Sequence, residues 1–187
     1  MKKTLGLVLS LTAIAAVCAG VLAYIDGLTR EGIAAAKEKN ALDAALAVMP
    51  AGVEGKIAAV SWADEERKKP VAFAGRDARG ALLGYAALGR DAGGYGGDIE
   101  LMVGFEADRK TVVCYRTLSA SETPGLGMKL KTPEFADQFK GKDGSSMKVR
   151  KDGGDVEAIT AATITSRAVC RAIENASASL AALGNLD

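Results

Sequence analysis

Thr160-Ala161-Ala162-Thr163-Ile164-Thr165-Ser166 places four hydroxyl side chains within seven residues. From Ile164 to Leu183 no Pro or Gly interrupts the chain. Ala168, Val169, Ala172, Ile173, Ala176, Leu180 and Leu183 recur there at helical spacing. The hydroxyls therefore cluster on a first helical turn, where backbone N–H groups lack partners and the dipole is positive. Such a turn stabilises a phosphate before any side chain is counted. The small alanines let a bulky phosphate ester approach the backbone. Ser and Thr in the same places also serve as N-caps, and the local pattern alone does not choose between the two roles.

The chemistry that this chain lacks narrows the field. It has no histidine, so a His general base, a Ser-His-Asp triad and a His-ligated haem are excluded. Cys-x-x-Cys-His is absent, which excludes a c-type haem attachment. The three cysteines, Cys18, Cys114 and Cys170, are too scattered to hold an iron–sulfur cluster. Cys114 and Cys170 read either as a disulfide or as two buried thiols. Lys and Arg number 24 against 23 Asp and Glu, so no basic face speaks for nucleic acid. Electron transfer by this chain requires an organic cofactor.

The elements that must position the hydroxyls follow from patterning. Met1-Lys2-Lys3 precedes an uncharged run of 21 residues, Leu5 to Ile25. As a helix it spans about 31 Å, the thickness of a bilayer's hydrocarbon core. This reads as an uncleaved anchor rather than a signal peptide, whose apolar core is shorter. The lysines favour a cytoplasmic N-terminus and an extracytoplasmic remainder. The span holds no Asp, Glu, Lys or Arg of the kind ion pumps use.

Thr29 to Val48 reads as an amphipathic helix ended by Pro50-Ala51-Gly52. Strands are predicted at Lys56–Trp62, Val71–Gly75, Ala81–Leu88, Asp98–Phe105 and Thr111–Leu118, with a short one at Met147–Arg150. The glycine-dense stretch Gly89–Gly97 reads as a loop. Thr123-Pro124-Gly125-Leu126 has the signature of a type II turn. Pro133–Phe139 reads as a short helix with Thr132 at its N-cap. The fold class is α+β: an antiparallel sheet with flanking helices on one side, preceded by one N-terminal transmembrane helix.

Ala162-Thr163-Ile164-Thr165-Ser166, with Thr160 and the acidic Glu157 before it, resembles the flavinylation motif of the FMN-binding domain family. That motif runs roughly Asp-x-x-Ser/Thr-Gly-Ala-Thr, and its last Thr carries FMN by a phosphoester bond. Thr163 matches the attachment residue, Ala162 the Ala and Thr160 the Ser/Thr; Ala161 departs from the Gly and Glu157 from the Asp. Glu122-Thr123-Pro124-Gly125-Leu126-Gly127 and Tyr95-Gly96-Gly97-Asp98-Ile99 resemble the G subunit of the Rnf ion-translocating electron-transport complex. The C subunit of sodium-pumping NADH:quinone reductase has a similar domain.

The resemblance implies covalent FMN on Thr163, with Ile164, Thr165 and Ser166 amides near its phosphate. Glu122, Thr123, Gly125 and Leu126 would border the ring. It implies residues 1–27 as cytoplasmic stub and anchor, 28–50 as a connecting helix, and 51–187 as the FMN-binding domain, in the cell inner membrane and facing its outer side. Partners would be the other subunits, a flavin transferase and the lipid bilayer. The reaction class would be ferredoxin:NAD electron transport coupled to ion movement, without autonomous turnover. A stand-alone FMN-binding reductase and a cofactor-free anchored scaffold are the alternatives.

Overall fold

The computed structural model describes residues 2–53, 57–62 and 70–183. One helix, α1, runs from Lys2 to Val48. Its N-terminal part, through Lys39, forms a compact unit of its own. From Gly6 onward α1 is long and apolar enough to cross a membrane. The Ser10 hydroxyl donates to Leu7 O at 3.0 Å and the Thr29 hydroxyl to Ile25 O at 2.9 Å. Both polar groups are thus satisfied within the helix. Asp26 and Arg30 pair one turn apart just past the uncharged run.

The second unit, residues 40–187, is built on five antiparallel strands in sequence order. They are β1 (Ile57–Trp62), β2 (Pro70–Arg76), β3 (Leu82–Asp91), β4 (Ile99–Glu106) and β5 (Val112–Ala120). Period-2 alternation sends neighbouring residues to opposite faces. Ala72, Ala74, Tyr85, Ala87, Leu101, Val103 and Phe105 join the core formed with helix α3 (Thr163–Ala181). Phe73, Ala86 and Met102 point the other way, into a smaller cluster with Ala44, Ala45, Val48 and Met49. The sheet is therefore covered on both faces. The expectation of helices on one side is corrected, because the last turns of α1 cover the second.

The five longer predicted strands are all present, with boundaries shifted by no more than three residues, and α3 starts one residue earlier than predicted. Gly89–Asp91, read as loop, instead extends β3: Gly89 pairs with Leu101 and Asp91 with Ile99. A Cβ at Gly89 would lie 2.9 Å from the Ala172 carbonyl carbon of α3. Glycine stands there because helix and strand touch, not because the ladder ends. The short strand at Met147–Arg150 is only a bridge, Val149 beside Val156. Helix α2 spans Pro133–Ala136 and continues as a 3-10 turn to Phe139. Phe135 and Tyr115 meet the Phe139 ring edge-on at 5.4 and 5.5 Å, closing the core below α3.

Cys114 packs beside the smaller cluster, whereas Cys170 lies in the larger one. They sit on opposite faces of the sheet and both are free thiols, so the disulfide reading falls. Burial pushes the Cys170 thiol up to about 12 and raises that of Cys114.

Candidate functional site

The hydroxyl cluster lies where the sequence places it, on the first turn of a 19-residue helix. Its four oxygens have different surroundings. Thr165 and Ser166 are buried, 1% and 0% exposed. The Thr165 hydroxyl donates to Glu122 Oε2 at 2.8 Å. The Ser166 hydroxyl donates to Ala162 O at 3.0 Å and accepts the Ile159 N–H at 2.9 Å. Thr163, at the first helical position, is half-buried, and its hydroxyl has no hydrogen-bond partner among the described residues. Thr160 is exposed and precedes the helix.

Helix α3 has Ala162 at its N-cap, which supplies no side-chain acceptor. The Ser166 amide is taken by Ala162 O at 3.0 Å, so it is not open to a phosphate as expected. The open amides lie one step back, on Thr163, Ile164 and Thr165, which have no acceptor among the described residues. Together with the unpartnered Thr163 hydroxyl they fit a phosphate ester. Arg167 does not contribute charge there. Its guanidinium makes a two-pronged pair with Asp152, both contacts 2.7 Å, and holds that carboxyl below its usual range.

The predicted turn at Thr123–Leu126 is present. Leu126 N–H donates to Thr123 O at 3.2 Å, and Gly125 has φ of 76°, as the third position of a type II turn requires. This turn leads into a 3-10 helix, Gly127–Lys131, that packs on α3. Glu122 and Gly127 are buried, whereas Thr123, Gly125 and Leu126 are exposed. Among the described residues outside α1, the exposed large hydrophobic residues are Tyr95, Leu126 and Ile164. They come from the three segments that the sequence motifs single out.

Ala161 has φ of 61°. Its left-handed conformation explains why the motif has glycine there: an L-residue pays roughly 1–2 kcal/mol for this region. Ala161→Gly relieves that strain, while glycine's freedom in the unfolded chain takes back about 0.5–1 kcal/mol. The expected net gain is about 0.5 kcal/mol, read as a higher denaturant midpoint.

Sequence reasoning missed the strap between α3 and the end of β3. Arg171 Nε and Nη2 each donate to an Asp91 carboxylate oxygen at 2.8 Å, and Asp91 Oδ1 also accepts the Gly93 N–H at 2.8 Å. The Arg171 hydrogen bonds hold the Asp91 carboxyl below its ordinary value, against the opposing effect of partial burial. Below its unfolded pKa, near 3.9, the unfolded chain binds the extra proton first. The strap is at full strength above about pH 4 and is lost as pH falls through the lowered folded value. The stability gap between wild type and Asp91→Asn should therefore close as pH falls below about 4, in melts recorded between pH 3 and 6.

Residues 94–178 match the FMN-binding domain family. The G subunit of the ion-translocating oxidoreductase complex of Methanosarcina acetivorans is 30% identical over 176 residues, covering 94% of this chain and 93% of that one. The corresponding G subunit of Vibrio vulnificus is 32% identical over 181 residues, covering 89% and 84%. The crystal structure of Shewanella oneidensis NqrC is 29% identical, with a TM-score of 0.48 over 55% of this chain and 52% of that one. With such identity along nearly its whole length, the chain belongs to the family of G subunits of the ion-translocating oxidoreductase complex.

Proposed function

We propose that this chain is an electron-carrying flavin subunit of a membrane-bound, ion-translocating oxidoreductase complex. FMN is joined to Thr163 through its phosphate, and the complex is of the ferredoxin:NAD type. The observation that carries the reading is the Thr163 hydroxyl: half-buried, without a hydrogen-bond partner among the described residues, and beside three open amides at the start of α3. Family membership and the FMN-binding match over residues 94–178 support the cofactor and the complex.

FMN supplies the electron exchange when bound. The protein supplies position. The amides of Thr163, Ile164 and Thr165 would hold the phosphate, and the dipole of α3 would favour its charge. Thr165 and Ser166 hold the turn in place through their buried hydroxyl bonds. Leu126, Ile164 and Tyr95 offer exposed apolar surface for the ring. No side chain acts as an acid or base on a substrate, so the chain relays electrons between neighbouring subunits and turns over nothing alone.

The N-terminal helix anchors the chain in the bilayer, and the lysines at its start favour a flavin domain on the extracytoplasmic side. A covalent link suits that side, where a dissociated cofactor is not recovered. The ester requires a flavin transferase. Intact mass spectrometry of the chain produced with such an enzyme should show a gain of one FMN less water. An unchanged mass would overturn the flavin carrier and leave an anchored scaffold.

A further inference from the structure

We infer that Glu122 is a positioning residue that latches the glycine-rich loop 93–97 onto the start of α3, and so fixes one wall of the cofactor site. The inference rests on the flavin reading above. Glu122 stands just past the end of β5 at Ala120, and only 6% of it is exposed. Both carboxylate oxygens are used by the protein. Oε2 accepts the Thr165 hydroxyl at 2.8 Å, and Oε1 accepts the Gly96 N–H at 3.3 Å. One side chain thus joins three segments that are far apart in sequence: loop 93–97, its own loop, and α3.

The space around this carboxylate is shaped for it. A Cβ at Gly94 would stand 2.7 Å from Glu122 Oε1. One at Gly127 would stand 2.8 Å from both Glu122 Cβ and Thr165 Oγ1. Any side chain at either position would push the latch open. Two donors from separate segments converge on the two oxygens of this one side chain.

The loop is held at a second point. Arg171 and Asp91 fasten Gly93, by the contacts already described. Thr165 and Arg171 are six residues apart, about 9 Å along the helix axis. Between the two fastenings stands Tyr95, 72% exposed. A loop with four glycines in five residues, Gly93-Gly94-Tyr95-Gly96-Gly97, has high backbone entropy when free. Here it is fixed at both sides while its aromatic ring faces outward. The two fastenings hold Tyr95 in one place beside the helix that bears Thr163.

The test uses the full chain made with a flavin transferase, as wild type, Glu122→Ala, Glu122→Gln and Thr165→Val. Amide hydrogen exchange of the 93–97 segment reads the latch. The visible spectrum of the attached flavin and its quenching by iodide read the wall. Glu122→Ala should speed exchange in 93–97 by about tenfold or more, the scale of losing hydrogen bonds to a charged group. It should also alter the flavin spectrum and raise quenching. Glu122→Gln should stay close to wild type, because its carbonyl can take the Gly96 N–H while the Thr165 hydroxyl turns to accept from the amide. Thr165→Val removes one of the two donors and should fall between. It carries the comparison if Glu122→Ala does not fold.

Unchanged exchange in Glu122→Ala, or in Thr165→Val where that variant stands in, overturns the latch. Faster exchange with an unaltered spectrum and quenching overturns the positioning role. In both cases the flavin reading stands, because wild type carries the added mass. A wild type without that mass overturns the flavin reading, and the positioning role falls with it.

Discussion

Thr163→Ala should abolish the flavin mass completely while leaving the fold intact. The hydroxyl has no hydrogen-bond partner among the described residues, so its removal leaves no buried donor or acceptor unpaired. Alanine is also a better helix former than threonine. The stability change should stay within about 0.5 kcal/mol, as for substitutions that break no buried contact. Thr160→Ala removes the motif's other hydroxyl, which is exposed and lies before the left-handed Ala161 rather than on the helix; it should lower the yield of attachment without abolishing it. The two variants differ in position by less than one helical turn, yet one should lose everything and the other only part. Peptide mapping after co-production with the transferase decides it. Flavin retained in Thr163→Ala would move the attachment elsewhere and remove the basis for placing the site at the start of α3.

Some parts of this protein are written locally in its chain. The turn at Thr123–Leu126 is legible because Pro and Gly impose their own dihedrals, and the Gly125 φ of 76° is the result. The periodicity from Ala168 to Leu180 announces α3, whose core face holds Val169, Ala172, Ile173 and Ala176. The alternation of β4 is equally plain, since Leu101, Val103 and Phe105 face one core and Met102 the other. What stays hidden depends on residues that meet across long stretches of chain. Glu122 reaches Thr165 over 43 positions, and Arg171 reaches Asp91 over 80. No local pattern announces such pairs. By resemblance Glu122 reads as a residue bordering the ring, whereas the fold buries it between the Gly96 amide and the Thr165 hydroxyl. The Ser166 amide departs from expectation because the start of a helix is read only to within a residue or so. The N-cap lies at Ala162, and the first helical hydrogen bond is made one residue before the expected one.

The largest structural effect should come from the least conspicuous substitution, Gly89→Ala. β3 lies between β2 and β4, and α3 crosses its far face at this residue. A single added Cβ would lie 2.9 Å from the Ala172 carbonyl carbon and 3.2 Å from the Ala176 Cβ, and closer still to the Ala172 oxygen. Those atoms belong mostly to helix backbone, which has no rotamer to change. Either β3 bends between its two neighbours or α3 lifts from the sheet. Overpacking of this kind costs about 3 kcal/mol, which corresponds to a fall in melting temperature of roughly 10 °C for a domain of this size. Lifting α3 also disturbs function, because the helix carries Thr163 at its start and meets Glu122 and Asp91 through Thr165 and Arg171. Gly89→Ala should therefore lose stability and flavin attachment together, whereas Thr163→Ala loses attachment alone. Thermal melts and intact masses of the two variants separate these outcomes. A Gly89→Ala protein that melts like wild type would show that α3 does not rest on β3 at this point.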